Sequence, residues 1–255
     1  MTKSPSGQID HVLTEDRLFP PPAEFTQKAV FSTTDQYQEM YKRAAENPDD
    51  FWREEALEHL HWFEPFGEVC KWNPPHAEWF VGGKTNASYN CLDRHIDAGR
   101  GDLAAIIWEG EPGDTRTLSY SELRREVCKC AEGLKQLGVG AGDVVSIYMP
   151  MTPELAISML ACARIGAVHS VIFAGFSAES IVDRNNDAGA KLMITADGLY
   201  RRGKILPLKK TVDEALEKSP TVKHCLVLKR TGQDDVAMTD GRDVWWHDVV
   251  DTQPG

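Results

Sequence analysis

The amino-acid sequence predicts an α/β protein in which a parallel-rich sheet is flanked by helices and preceded by a helical and irregular N-terminal segment. Three observations carry this. Its 255 residues, 42% hydrophobic and 26% charged, are enough to bury a substantial core. From residue 102 onward, short apolar runs alternate with helical stretches of about 10–15 residues, the pattern of β-α-β units. Cap and stop residues bracket the helical stretches.

Taken in order, residues 1–34 contain Pro5, Pro20, Pro21 and Pro22, show no sustained period, and read as a loosely ordered arm. Residues 35–100 form a second segment. It opens with helices predicted from Asp35 to about Ala45 and from Asp49 to about His61, separated by the stop Asn47-Pro48. The rest, rich in Trp, Pro, Gly and Asn and carrying Trp62, Trp72 and Trp79, reads as irregular packing against a larger body.

Residues 101–255 carry the regular pattern. Leu103 to Trp108 and Thr115 to Tyr120 read as a hairpin across Glu111-Pro112-Gly113-Asp114. A helix follows: Ser119 and Glu122 have capping-box spacing, Leu123, Val127, Cys130, Leu134 and Leu137 mark one apolar face, and Gly138 ends it. Asp143 to Met149 is a buried strand. Thr152 is expected to cap a helix that starts at Pro153, runs to about Arg164 and stops at Gly166. Val168 to Phe173 is a strand, Ser177 caps a helix to about Asp187, and Lys191 to Thr195 is a strand. After a basic loop, Pro207 starts a helix to about Lys218, and His224 to Leu228 is another strand. Thr231 to Gly255 is acidic and turn-rich, with no element expected to close the fold.

A formal charge of −11 argues against nucleic-acid or anionic-membrane partners, so a phosphate-bearing ligand must meet a local basic patch. The six cysteines include no C-x-x-C pair, which fits reduced thiols in a cytoplasmic protein and gives no sign of a metal centre. No secretory signal is visible, and the apolar stretch Leu155 to Phe176 is interrupted by Arg164 and His169, against a membrane span. Nothing indicates the oligomeric state.

The sharpest local signal is Tyr200-Arg201-Arg202-Gly203-Lys204, after a strand of an open parallel sheet, where ligands gather. Arginine offers a planar fork of donors to phosphate oxygens and glycine allows close approach. From Asp197 to Lys210 there are five basic residues and one acid. Spacing alone leaves two readings open, a phosphate site and a solvated basic surface. Phe173-Ala174-Gly175-Phe176-Ser177, between a strand and a helix N-terminus, likewise reads as a ligand site or as a plain turn. Gly82-Gly83-Lys84-Thr85 imitates a Walker A ending but has Glu78 where the first Gly belongs. His59 and His61 are two residues apart on a helix and do not face one metal. No nucleophile elbow or catalytic triad can be assigned.

The stretch from Tyr148 to Ser177, YMPMTPELAISMLACARIGAVHSVIFAGFS, closely resembles the acetyl-CoA synthetase branch of the adenylate-forming superfamily. Phe63 to Phe66, Trp79 to Ser88, Ile194 to Asp197, Leu208 to Lys210 and Gly241 to Trp246 extend the resemblance over about residues 35 to 250. It implies that residues 101–255 are the first part of an AMP-binding domain, with residues 35–100 the N-terminal segment of such enzymes. The implied activity is AMP-forming acetate–CoA ligase: acetate, ATP and CoA give acetyl-CoA, AMP and pyrophosphate via acetyl-AMP. ATP and CoA are its substrates, and Mg2+ is expected for a complete enzyme, with its ligands outside this sequence. The resemblance also implies that Arg201, Arg202, Gly203 and Lys204 grip the phosphate-bearing end of CoA, and that Phe173, Ala174 and Gly175 line its adenine pocket. Ala174 departs from the commoner Gly, and Lys204 stands where some relatives carry Arg. The family's Gly-Lys phosphate loop, acetate-pocket Trp, ribose-binding Asp and adenylating Lys have no counterpart here. The chain is therefore expected to be an N-terminal portion, inactive by itself and without catalytic residues. The alternatives are a stand-alone CoA- or nucleotide-binding module and a non-binding fragment. Acetate is favoured over propionate on the overall resemblance alone.

Overall fold

The computed structural model describes residues 17–254. The first half of the expected N-terminal arm, residues 1–16, lies outside the described residues. After it comes a short helix, α1 (Ala23–Lys28), with no buried side chain.

Helices α2 (Thr34–Glu46) and α3 (Pro48–His59) form where expected. Thr33 and Gln36 close a capping box on α2. Asn47 ends α2 and begins α3, its side chain accepting from Asp50 N–H, with Pro48 at the position where a missing N–H costs nothing. The segment expected to be irregular instead contains an antiparallel hairpin, β1 (Glu68–Asn73) and β2 (His76–Val81), turned through Pro74-Pro75. Its strands are mostly exposed, so the apolar alternation that would reveal them is missing. Two π-helical turns follow, Tyr89–Asp93 and Ile96–Arg100.

Strands β3 (Ala104–Glu109) and β4 (Thr115–Ser119) make the expected hairpin. Ser119 and Glu122 form the capping box of α4 (Tyr120–Gln136), which buries Leu123, Val127, Cys130 and Leu134. Full burial of each such aliphatic side chain contributes about 1.5–3 kcal/mol. The main sheet then begins with β5 (Val144–Tyr148) and proceeds through α5 (Pro153–Arg164), β6 (Val168–Val171), α6 (Ala178–Ala188) and β7 (Leu192–Ala196). Thr152 holds the N-cap position of α5 but makes no cap bond, and its buried hydroxyl has no partner; Ser177 does cap α6.

The basic loop is a second correction. It is a small antiparallel hairpin, β8 (Leu199–Arg201) and β9 (Lys204–Leu206), turned through Arg202 and Gly203, whose φ values are 53° and 71°. Positive φ at both central residues matches the right-handed twist of a tight hairpin, and glycine at the second position lowers the strain. Helix α7 (Leu208–Leu216) and strand β10 (His224–Leu228) follow as expected. The acidic tail does extend the sheet: β11 (Asp243–Trp245) pairs in parallel with β10 and leads into α8 (Trp246–Val249).

The five-stranded sheet runs β11-β10-β7-β5-β6 and is parallel throughout. Alternate residues divide the core. Val145, Ile147, Leu192, Ile194 and Leu226 pack with α4, α5 and α8; Tyr148, Met193, Cys225 and Val227 pack with α6 and α7. The chain steps from β5 outward to β6, then crosses back to β7 on the other side. That reversal places a crevice at the carboxyl ends of β5 and β7.

Candidate functional site

A cavity of about 400 Å³ opens over this reversal point. The turn after β5 supplies Met149 to Thr152, the end of β6 and its following turn supply Val171 to Ala174, and β8 supplies Leu199 to Arg201. The β3–β4 hairpin adds Trp108 to Glu111, and Arg230 follows β10.

Behind the cavity, Asp197 is 1% exposed just after β7. Its carboxylate accepts from the backbone N–H of Gly198 at 2.7 Å, Arg230 at 2.8 Å, Thr231 at 2.9 Å and Gly232 at 2.8 Å. A buried carboxylate with this many donors is satisfied without a cation, and it fixes the turn after β10 to the turn after β7. Arg230 is thereby placed between two rings, its guanidinium carbon 5.0 Å from the centroids of both Trp108 and Tyr200. The same guanidinium pairs with Asp114 at 2.7 and 3.1 Å, and this hydrogen-bonded ion pair holds the Asp114 carboxyl below the usual carboxylate range. Trp108 Nε1 donates to Met151 O at 2.7 Å, completing the wall.

The turn after β6 is anchored by Tyr148, whose hydroxyl donates to Phe176 O at 2.9 Å. Phe173 is 61% exposed at the mouth, edge-on to Phe176. Ala174 is partly buried against the core on the α6–α7 side of the sheet, which accommodates the departure from Gly noted above. At Gly175 a side chain would meet both neighbours: a Cβ would lie 3.0 Å from a Phe173 ring carbon and 3.2 Å from Arg201 Nη1. Phe173, Gly175 and Arg201 are thus brought together. Arg201 and Lys204 are register partners across β8 and β9. Arg202 and Gly203 sit at the exposed tip, and Gly203 N–H donates to Glu111 Oε1 at 2.6 Å. Lys204 is exposed and does not line the cavity.

The charge count of the basic stretch needs revision. Lys209 is 2% exposed and bound by Asp213 at 2.6 Å and Asp243 at 2.8 Å, so these two carboxylates already neutralise its charge. Trp108, Glu111, Asp114 and Arg230 are site residues that local patterns do not reveal, because they reach the basic hairpin from distant parts of the chain. The hairpin itself escaped because Arg-Gly is not among the usual two-residue turn pairs, and the charge of the stretch reads as a loop.

The family model described as AMP-binding enzyme matches residues 92–254. The chain belongs to the AMP-binding enzyme family. A second family model, acetyl-coenzyme A synthetase N-terminus, matches residues 37–91. Among curated relatives, acetyl-coenzyme A synthetase from Rhodopirellula baltica is 74% identical over 98% of this chain and 38% of its own length. Acetyl-coenzyme A synthetase from Deinococcus radiodurans is 53% identical over 98% of this chain, again 38% of its own length. Among solved structures, acetoacetyl-CoA synthetase from Streptomyces lividans superposes with a TM-score of 0.78 at 25% identity, covering 91% of this chain and 35% of that one. The chain therefore spans a little over a third of the length of these family members. No helix among the described residues is long and apolar enough to cross a membrane.

Proposed function

We propose that this chain is the N-terminal portion of an AMP-forming acetate–CoA ligase and supplies the rim that receives the phosphate-bearing end of CoA. Residues 35–100 are read as its N-terminal segment and residues 101–255 as the first part of its AMP-binding domain. The single observation that carries the reading is the meeting of Arg201, Gly175 and Phe173 at the mouth of the cavity. Arg201 offers a planar donor fork to the 3′-phosphate or diphosphate, and Lys204, its register partner, adds a point charge beside it. Phe173 presents an exposed ring face to an adenine, and the bare Gly175 backbone lets the nucleotide approach.

The other substrates of the complete reaction are ATP and acetate, with acetyl-AMP as the intermediate. Among the described residues no three His, Cys, Asp or Glu side chains converge on a common metal position. Stabilising a transferring adenylyl group needs positioned donors and a metal, so the 255-residue chain alone is expected to form no acetyl-AMP. Acetate-dependent ATP–pyrophosphate exchange by the purified chain above a mock preparation contradicts this. The reading places the protein in the cytoplasm, with small-molecule rather than nucleic-acid or membrane partners.

The test of the rim is a calorimetric titration with CoA and with dephospho-CoA, using wild type and an Arg201→Ala/Lys204→Ala double variant. Binding near millimolar, about −4 kcal/mol, is expected for contacts on an open rim, weaker without the 3′-phosphate and weaker still in the double variant. Equal binding of CoA by both proteins overturns the assignment.

A further inference from the structure

A second cavity, about 430 Å³, lies between α4, the end of α5 and the first π-helical turn and shares no lining residue with the first. It is lined by Ser121, Arg124, Arg125 and Cys128, together with Arg164 and Asp93. The first four follow one another at helical steps of three, one and three residues, so they occupy one face of the first two turns of α4. That face is opposed to the apolar stripe of Leu123, Val127 and Leu134 that enters the core. Arg164 is the last residue of α5 and closes the cavity from the other side.

Three guanidiniums therefore converge on a space bordered by one carboxylate. Arg164 and Asp93 satisfy each other through two parallel hydrogen bonds of 2.7 and 2.8 Å, and Arg164 also reaches Ser88 Oγ at 3.4 Å. Arg125 makes one long contact, 3.4 Å, to Glu126, which also faces Lys129 at 3.6 Å, and its charge acts on Glu122 through space. Among the described residues Arg124 makes no hydrogen bond or close ion pair, although its charge acts on Asp93 through space. Two neighbouring arginines on α4 are thus left with unused donor forks, aimed at the same cavity as a third. In a chain of net charge −11, such a convergence is a local positive field whose self-repulsion an anion relieves.

From this we infer a phosphate-binding site, separate from the CoA rim, in which Arg124 and Arg125 clamp a phosphate group in the α4–α5 crevice. Planar forks on adjacent residues match the several oxygens of a tetrahedral anion better than the flat pair of a carboxylate. Ser121 adds a hydroxyl donor at the N-terminal end of the same face. The volume admits inorganic phosphate or pyrophosphate, and the chemistry shared by both is what the site selects.

Cys128 supplies a local reporter, since its sulfur lies beside the Arg164 guanidinium in the cavity wall. Cys130, Cys162 and Cys225 are buried, so Cys70→Ser/Cys91→Ser leaves Cys128 as the accessible thiol. In that background, with Arg201→Ala/Lys204→Ala added to silence the CoA rim, the rate of Cys128 alkylation by a neutral maleimide is measured. The solutions are phosphate, pyrophosphate, citrate and chloride at matched ionic strength. Phosphate and pyrophosphate are expected to slow the reaction several-fold relative to chloride, with citrate having less effect. Arg124→Gln/Arg125→Gln is expected to raise the phosphate concentration needed for half-maximal protection about tenfold. The milder Arg124→Lys keeps the charge but loses the fork, and should give an intermediate loss. Far-UV circular dichroism checks that each variant keeps its fold. Protection by chloride or citrate equal to that by phosphate overturns the inference, as does protection that survives both substitutions in folded protein. If the double variant does not fold, unchanged protection in Arg124→Lys overturns it on its own.

Discussion

Glu111 Oε1 accepts a 2.6 Å hydrogen bond from the backbone N–H of Gly203, tying together two hairpin tips 92 residues apart. A carboxylate oxygen thus occupies the Gly203 amide, in the basic motif that the family resemblance assigns to the phosphate-bearing end of CoA. Glu111→Ala is expected to free that N–H, remove a like charge from the rim and raise CoA affinity, by up to about fivefold. The gain should shrink with added salt, because both tips are exposed. Calorimetry at two ionic strengths checks this, and unchanged affinity at low salt counts against a CoA role for Gly203.

At Gly175 the constraint is steric. A β-branched side chain there would press on the Phe173 ring and on Arg201, two groups at the rim rather than in the core. Gly175→Val should weaken CoA binding about tenfold, while the thermal midpoint moves little because Phe173 and Arg201 can yield into solvent. A large loss of stability with unaltered affinity would show that the turn serves the fold alone.

The acid response follows from three carboxylates. Burial pushes the Asp93 carboxyl up, but the Arg164 hydrogen bonds and charge outweigh it and hold the group low. Asp243 is likewise pushed up by burial and held low by Arg242 and Lys209, and Asp143 is held low by Lys191 and Gly140 N–H. A depressed folded pKa favours the folded state wherever the carboxyl is ionised. This stabilisation is fully present above the ordinary carboxylate pKa of about 3.9 and is lost as pH falls below it. The urea midpoint should therefore fall steeply on acidification through that range. Asp93→Asn should flatten the slope and cost about 2 kcal/mol at neutral pH, since it leaves Arg164 with an unmatched donor pair.

Thiol reactivity should divide the six cysteines in half. Burial pushes the Cys130 and Cys225 thiols far up and the Cys162 thiol up to about 12. At mildly alkaline pH these remain protonated and inaccessible. Cys70, Cys91 and Cys128 are at least partly exposed. An Ellman titration of the native chain should count three thiols, and six after denaturation.

The core sheet was legible because its elements announce themselves locally. Ser119 and Glu122 cap α4, Pro153 opens α5, and the apolar run from His224 to Leu228 bounds β10 as found. The β1–β2 hairpin escaped because its strands are mostly exposed, with Val69 the one buried side chain, and so show no apolar alternation. Strand β11 escaped because three half-buried residues are too short a run to stand out. At the candidate site, Arg201 and Phe173 were visible from their position after strands. Arg230 was not, since its role depends on Trp108 and Asp114, more than a hundred residues earlier in the chain.

Asp197 closes a loop. The chain leaves it, builds the basic hairpin, α7 and β10, and returns to its carboxylate at residues 230 to 232, some 33 to 35 positions later. Until those amides arrive, a bare carboxylate cannot be withdrawn from water at the end of β7. The carboxylate therefore ties the turn after β10 to the end of β7, and the Arg201 hairpin that leaves from this point stands on that junction. A chain stopped at residue 228 would contain the whole Arg-Arg-Gly-Lys motif and still lack the amides that anchor it.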